Sequence, residues 1–336
     1  MKLTLKAAAL GAAITLTLAG AVHAQEITLK VSHFWAPGAM APTKVIGPWC
    51  DKINKESGGK LKCQIFPAMQ LGGTPAQAFD QVKDGVADIA YTLPGYTAGR
   101  FPLMEVFELP FMNSNAEASS QAVWDYYLTT PAVQKEFAGV KPLMFHTHDE
   151  GYVHTKDKQI KTLADFKGLK MRAPTRQTNK LLSKLGAAPV PMPLPAIPDA
   201  ISKGVIDGFL LPWEVIPSVK LHEMVKFHSE TDPKERALYS AIFIMAMNPA
   251  KYDSLPADLK KVPCEPTECS VSRIIRYDSH SRILRTIVKN TGKKLKNGKM
   301  LSELCGQYLT SSEWSIMRRS TRRLFMAQRS IFRYEM

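Results

Sequence analysis

Short apolar strands alternate with helices along the first hundred residues, and this alternation constrains the fold more than any other feature. Residues 27–32 alternate apolar and polar side chains as a strand does, residues 43–57 carry a helical apolar stripe, and residues 60–66 alternate again. A second helix is predicted over residues 77–84 and a third strand over residues 85–91. This order of elements predicts a parallel sheet with right-handed crossovers, and therefore a fold of the α/β class.

A second series of the same kind follows. Residues 142–147 are predicted to be a strand of the first series, and residues 168–172 and 177–185 begin the second with a strand and a helix. Residues 205–211 supply a further strand there, and the apolar run at 237–247 is predicted to return to the first unit. The predicted divisions are a signal peptide at 1–24, domain I at 25–150 plus about 235–262, domain II at 151–234, and an atypical basic tail at 263–336.

The first 24 residues have the three parts of a secretory signal. Lys2 and Lys6 form a charged start, residues 7–21 an apolar stretch, and residues 22–24 (Val-His-Ala) a small-residue cleavage site. A membrane anchor is the competing interpretation, but the apolar stretch is shorter than a spanning helix requires. We expect cleavage after Ala24 and an exported, soluble protein in the periplasm.

Charge and cysteine content limit the possible partners. The net charge of +14 is concentrated in the tail, where residues 262–336 hold 15 Lys and Arg against 6 Asp and Glu. Such a tail can bind nucleic acid, but the export signal argues against a nucleic-acid partner. Five cysteines are an odd number, so at least one is unpaired or pairs with another molecule. Cys50 and Cys63 flank a predicted helix-to-strand connection, and a disulfide and two buried thiols both remain open there.

Arg172 is the candidate anion-binding residue. Pro174 ends its strand, so the guanidinium lies at a strand-to-helix junction. Ligands of open α/β sheets bind outside the carboxyl ends of the strands. The planar fork of arginine donates two parallel hydrogen bonds to a carboxylate, which lysine cannot reproduce. The sequence therefore predicts an anion at the end of this strand.

A series of short motifs gives the chain a family resemblance from residue 26 to about residue 262. The motifs are Phe66-Pro-Ala with Leu71-Gly-Gly, residues 82–88 (Val-Lys-Asp-Gly-Val-Ala-Asp), Phe101-Pro-Leu with Leu109-Pro-Phe, residues 163–174, residues 185–192 and residues 204–208 (Gly-Val-Ile-Asp-Gly). In this order they resemble the dicarboxylate-binding solute receptors of tripartite ATP-independent periplasmic (TRAP) transporters. The resemblance implies two α/β domains hinged about a ligand cleft, as in periplasmic binding proteins. It also implies an organic acid ligand gripped by Arg172 and delivered to the membrane subunits of a permease, with no cofactor and no catalysis.

Departures from the family pattern bear on the ligand. Tyr152 and Leu211 stand where sialic-acid receptors of the family carry an arginine and an asparagine, so a sugar acid would find few partners. Aromatic rings fall near several strand ends; each one alone is more often a core residue. Together they favour a monocarboxylate with an aromatic or branched apolar body. The predicted ligand-binding residues are His33, Phe34, Tyr91, Thr92, Tyr152, Arg172 and Trp213.

Two other hypotheses concern the residues that end the strand at 142–147. His146, His148, Asp149 and Glu150 suggest a metal site. At alternating strand positions the two histidines would share one face, but a third ligand must then come from elsewhere, so we predict no metal there. A secreted hydrolytic or lyase-type enzyme could use His148 and Asp149 for acid-base chemistry. No nucleophile-elbow, zinc-protease or dinucleotide motif accompanies them, so we predict that the protein is not an enzyme.

The tail departs from the family altogether. Beyond residue 262 the chain has neither the family pattern nor clear helical stripes before Trp314. We interpret residues 263–336 as the product of a reading-frame shift that replaced the family's C-terminal helices. Loss of those helices would leave apolar surface uncovered on both domains.

Overall fold

A computed structural model of the protein describes residues 26–231 and 236–261, so the signal peptide and the tail lie outside the described residues. Its strands are β1 (Ile27–His33), β2 (Leu61–Phe66), β3 (Ile89–Thr92), β4 (Lys141–Thr147), β5 (Tyr152–Thr155), β6 (Lys170–Ala173), β7 (Ala188–Pro191), β8 (Gly208–Leu211), β9 (Phe227–Ser229) and β10 (Ile242–Met247). Its α-helices are α1 (Gly47–Glu56), α2 (Ala78–Lys83), α3 (Ala116–Thr129), α4 (Pro131–Glu136), α5 (Arg176–Lys184), α6 (Ile197–Ser202) and α7 (Pro249–Ser254).

The strands form two five-stranded sheets, one in each unit. The first has the order β2-β1-β3-β10-β4, and the second has the order β7-β6-β8-β5-β9. In the first unit β1 lies parallel to β2 and β3, as predicted, while β10 runs antiparallel to both β3 and β4. In the second unit β6 lies parallel to β7 and β8. The predicted α/β class with two units is confirmed.

Several element boundaries differ from the prediction, and glycine accounts for two of them. Gly85 has a φ of 76° and ends the turn after α2, so pairing in β3 begins only at Ile89. Gly204 has a φ of 68° and delays the start of β8 to Gly208 in the same way. The predicted helix at 43–57 is divided into a π-helical turn, Ala41–Ile46, and α1. Helix α4 was not predicted.

A disulfide joins α1 to β2. Cys50 and Cys63 are bonded, with their Cα atoms 5.8 Å apart. The buried-thiol alternative is therefore wrong for this pair. The bond fixes the first helix against the edge strand that follows it, as expected of a protein folded in an oxidising compartment.

The chain crosses between the two units twice, and the crossing segments lie side by side. The first crossing is residues 148–151, and the second passes through residues 236–241. The Gly151 amide donates to the carbonyl of Tyr239 at 2.9 Å, and the Ala241 amide donates to Nε2 of His148 at 2.9 Å. A Cβ on Gly151 would lie 2.1 Å from Cδ1 of Tyr239, so the close approach of the two segments requires glycine.

Stacked rings fill the first unit beneath its sheet. Phe101 and Phe137 stack with their centroids 4.6 Å apart, and Phe145 of β4 meets Phe137 edge-on at 4.9 Å. Such ring pairs stabilise the fold beyond the contribution of the apolar area that they bury.

Among residues 26–231 and 236–261, no helix combines the length and the apolar character that a bilayer crossing needs.

Candidate functional site

Arg172 lies almost fully buried where β6 ends, and its neighbours fix the guanidinium in place. Its Nε donates to the carbonyl of Met192, just after β7, at 3.0 Å, and its Nη1 donates to the carbonyl of Leu210 in β8 at 2.9 Å. Because β7 and β8 flank β6, the fork is held from both sides of its own sheet. A positive group positioned in this way is preorganised for an anion, since little side-chain entropy remains to be lost on binding.

Tyr96 brings the first unit to the same guanidinium. It lies in the turn Pro94–Tyr96 that follows β3, and its phenol hydrogen-bonds Arg172 and accepts from the Leu194 amide at 3.1 Å. Burial raises the pKa of this phenol, an effect that the charge of Arg172 opposes. Tyr96 is not among the residues predicted from the sequence, although Pro94 and Gly95 mark a tight turn beside the predicted strand end. Gly95 is required there, because a Cβ would lie 2.6 Å from Cγ2 of Thr175 in the second unit.

Aromatic rings cluster at the edge where β1 and β3 end. His33 and Tyr91 are partners in the strand register, so the two strand ends share an edge of the sheet. Phe34 stacks on Trp35 at 4.0 Å and meets Tyr96 at 5.4 Å, and Trp35 meets Tyr91 at 4.7 Å. The ring cluster therefore leads from the end of β1 to the residue that contacts the guanidinium.

Two predicted residues at this edge have contacts within the first unit. The Thr92 hydroxyl donates to the carbonyl of Pro75 at 3.3 Å. His33 is completely buried, and burial lowers its pKa to about 4. At neutral pH its ring is therefore uncharged, so His33 offers no positive charge to an anion.

The other predicted rings lie on the second unit. Tyr152 of β5 and Trp213 after β8 have centroids 6.0 Å apart, and Nε1 of Trp213 donates to Glu230 at 2.8 Å. The ring of Trp213 also packs against His154 at 4.9 Å and His228 at 4.8 Å. The hydrogen bond of the indole nitrogen and these ring contacts together fix the orientation of Trp213.

Three glutamates near the crossing segments are neutral rather than charged. Burial raises the pKa of each to about 8, with smaller contributions from neighbouring acidic groups. A carboxyl with that pKa is largely protonated at pH 7, so it does not repel a ligand carboxylate. We call these residues the glutamate group: Glu108, Glu150 and Glu214.

His146 and His148, the two histidines of the metal and enzyme hypotheses, have internal partners. His146 lies against the Tyr91 hydroxyl, and its Nδ1 is 3.1 Å from the carbonyl of Thr147. Nε2 of His148 accepts a hydrogen bond from the Ala241 amide, so the lone pair that a general base would use is occupied. The part of the chain that the structure describes contains no group of three or more metal-type ligands.

Burial dominates the acid-base behaviour of the histidines in this region. It lowers the pKa of His146 and His154 to about 3, and that of the others to about 4. All are therefore neutral at pH 7. We call them the histidine group: His33, His146, His148, His154 and His228.

Two α/β units around a buried arginine, with rings on both sides, are the arrangement of a solute-binding protein. The chain belongs to the family described as bacterial extracellular solute-binding protein, family 7 (DctP), which matches residues 31–263. The predicted resemblance to TRAP solute receptors is thereby confirmed. Members of this family bind solutes and are not enzymes, so the prediction that the protein is not an enzyme is also confirmed.

Curated relatives match over part of their length. The 2,3-diketo-L-gulonate-binding periplasmic protein YiaO of Escherichia coli is 27% identical over 212 residues, which are 63% of each chain. The outer membrane transporter protein TsaT of Comamonas testosteroni is 29% identical over 199 residues, 59% of this chain and 58% of the other. The chain thus spans less than two thirds of the length of these relatives.

Solved structures match the chain over more of its length. A TRAP solute-binding protein from Rhodoferax ferrireducens in complex with copurified benzoate is 47% identical, with a TM-score of 0.81, over 90% of this chain and 97% of the other. A marine metagenome TRAP protein specific for aromatic acid ligands, in complex with 3-hydroxybenzoate, is 38% identical, with a TM-score of 0.80, over 93% and 100%. Both share the fold.

Proposed function

We propose that the protein is the periplasmic receptor of a TRAP transporter and that it binds a monocarboxylate with an aromatic body. The observation that carries this proposal is Arg172, a buried guanidinium held by two neighbouring strands and reached from the other unit by Tyr96. Its fork pairs with the ligand carboxylate in two parallel hydrogen bonds. Relatives at 47% and 38% identity hold benzoate and 3-hydroxybenzoate, which supports the choice of ligand.

The rings on the two units enclose the body of the ligand in this proposal. Phe34, Tyr91 and Tyr96 contribute from the first unit, and Tyr152 and Trp213 from the second. Offset and edge-on contacts between rings favour a flat aromatic ligand over a hydrated sugar acid, whose hydroxyls would lose water without replacement. The remaining predicted residues, His33 and Thr92, support the ring cluster through their places at the ends of β1 and β3.

Charge selection follows from the balance of ionised groups around the ligand. Arg172 is permanently positive, whereas the glutamate and histidine groups are neutral at pH 7. A single carboxylate is therefore matched by a single cation. A dicarboxylate would bring a second negative charge into the same buried region without a partner, at a cost of several kcal/mol.

The proposal includes closure of the two units around the ligand and delivery to the permease. Domain I (25–150 plus about 235–262) and domain II (151–234) would move about the paired crossing segments. A ligand that contacts both units stabilises the closed state, because its contacts are better there than in the open state. The membrane subunits of the permease then recognise the closed receptor.

Calorimetry with matched ligands tests the binding proposal. We expect the mature full-length protein to bind benzoate and 3-hydroxybenzoate and to be stabilised by them in a thermal-shift assay. Benzamide has the same size and ring but no negative charge, so we expect no measurable binding. Equal affinity for benzamide, or tighter binding of gluconate than of benzoate, would refute the proposal.

Two further measurements test export and delivery. The N-terminal sequence of protein released from the periplasm should begin at Gln25, and a retained Met1 would contradict the proposed cleavage. Proteoliposomes that contain the cognate permease should accumulate labelled benzoate only when the receptor is added. Equal uptake without the receptor would contradict the delivery role.

A further inference from the structure

Glu105 is a buried carboxylate of the first unit whose partners come from the second. It lies in the 3-10 turn Met104–Glu108, and its side chain is only 7% exposed. Nε of Arg176 donates to its two oxygens at 3.2 and 2.8 Å, and Nη2 lies 2.6 Å from Oε2. Nε2 of Gln177 donates to the same Oε2 at 2.7 Å.

The two sides of this contact are each fixed to their own unit. On the first unit, the turn that carries Glu105 is anchored by Glu136, which accepts from the Leu103 and Met104 amides at 2.8 and 3.2 Å. On the second unit, Arg176 and Gln177 form the first turn of α5, directly after the strand that carries Arg172. The ion pair therefore bridges rigid elements and can form only when the two units are close together.

Position and chemistry separate this contact from the ligand site. Arg172 hydrogen-bonds the carbonyls at the ends of β7 and β8, whereas Arg176 is the first residue of the following helix and is paired with Glu105. The start of a helix also favours a negative group, which adds to the attraction. When the units separate, water replaces both partners, so the interaction stabilises the closed arrangement selectively.

We propose that Glu105, Arg176 and Gln177 form an interdomain latch that sets the balance between open and closed receptor and thereby tunes ligand affinity without touching the ligand. This inference rests on the proposed function, because closure around a ligand is what the latch assists. When most receptor molecules are open without ligand, the apparent dissociation constant is larger than that of the closed state, because only the small closed population binds tightly. Weakening the latch lowers the closed population and raises that constant by the same factor.

Glu105→Gln tests the latch with little change in shape. We expect the dissociation constant for benzoate to rise roughly 5- to 30-fold, the range of a partly screened, partly buried ion pair, mainly through a faster off-rate. The Arg176 side chain is 38% exposed, so the site tolerates replacement, and Arg176→Gln should weaken benzoate binding by a similar factor. The double variant should lose no more than either single variant, because both remove one interaction.

Asp80→Asn is the matched control. Asp80 and Arg100 form a two-pronged ion pair at 2.8 and 2.9 Å, but both residues belong to the first unit. Its removal should leave the benzoate dissociation constant within about twofold of the parent value. Small-angle scattering at saturating benzoate should show all variants closed, since excess ligand compensates for a weaker latch.

The outcomes distinguish the latch from the proposed function. If the parent protein binds no aromatic acid, the proposed function fails and the latch fails with it. If the parent binds benzoate and Arg176→Gln binds it equally well, the latch alone is overturned. Additive losses in the double variant, or an equal loss in Asp80→Asn, would also overturn it. Should Glu105→Gln not fold, Arg176→Gln decides the question by itself.

Discussion

Replacing Arg172 by methionine removes the cation while keeping an unbranched side chain in the site. The carbonyls of Met192 and Leu210 and the hydroxyl of Tyr96 each lose a hydrogen bond to the guanidinium, at about 1 kcal/mol each. Removal of a buried charge offsets part of that loss. We therefore expect the free energy of unfolding without ligand to change by no more than about 2 kcal/mol.

The effect on binding should be much larger than the effect on folding. Removing one partner of a buried, hydrogen-bonded charge pair costs about 2–5 kcal/mol, which corresponds to a roughly 30- to 4,000-fold weaker affinity for benzoate. Arg172→Lys keeps the charge but cannot donate two parallel bonds, so it should lose less. Benzamide carries no negative charge, so it should bind the parent and both Arg172 variants equally poorly.

Isothermal titration of benzoate into each variant, with urea unfolding as a measure of stability, separates the two effects. Arg100→Met is the matched control, because Arg100 is an ion-paired arginine of the first unit that lies away from the proposed site. It should leave benzoate affinity unchanged. If Arg172→Met binds benzoate within about threefold of the parent, the carboxylate pair does not exist and the reasoning is refuted.

Three further predictions concern stability. Gly151→Ala should destabilise the protein by about 1–3 kcal/mol or more, because its Cβ would meet both the ring and, at 3.1 Å, the carbonyl of Tyr239; Gly38→Ala, with no atom within 4 Å, should be neutral in the same urea titration. Reduction of Cys50–Cys63, which are 13 residues apart, should cost about 3 kcal/mol in unfolding and leave benzoate affinity unchanged; an unchanged urea midpoint would contradict this. Melting temperature should peak near pH 6.5. Below that pH the residues of the histidine group take up protons in the unfolded chain but not in the folded protein, where their pKa values are lowered to about 3 or 4. Acid therefore favours the unfolded chain and lowers stability. Above it the three residues of the glutamate group are ionised in the unfolded chain but still protonated in the folded protein, where their pKa values are raised to about 8. Stability therefore falls as the pH rises to 8. A melting temperature that climbs steadily from pH 6.5 to 8 would contradict this account.

Periodicity and chain breakers were sufficient to predict most of the fold. The order of strands and helices, the parallel start of the first sheet and the position of Arg172 at a strand end all follow from local patterns in the chain. Strand starts were less predictable, because left-handed glycines such as Gly85 shift the onset of pairing. A glycine in the sequence does not reveal which φ it adopts.

The candidate site was predictable only in part, because its members come from distant parts of the chain. Arg172 could be found from its own neighbours, but Tyr96 gains its importance from contacts with the other unit. Glu105 meets Arg176 across 71 residues of sequence, and no local pattern predicts that pairing. Aromatic residues at strand ends were recognisable as a group, whereas the faces that they present depend on how the two units meet.

The place of β10 in the first sheet has a consequence for biosynthesis. This strand lies between β3 and β4, yet it is the last of the ten described strands to be made. A nascent chain therefore leaves two neighbouring edges unpaired until residue 247 has emerged, after the whole second unit. Unpaired edges are templates for aggregation, so a fragment that stops before residue 242 should be captured by chaperones rather than fold.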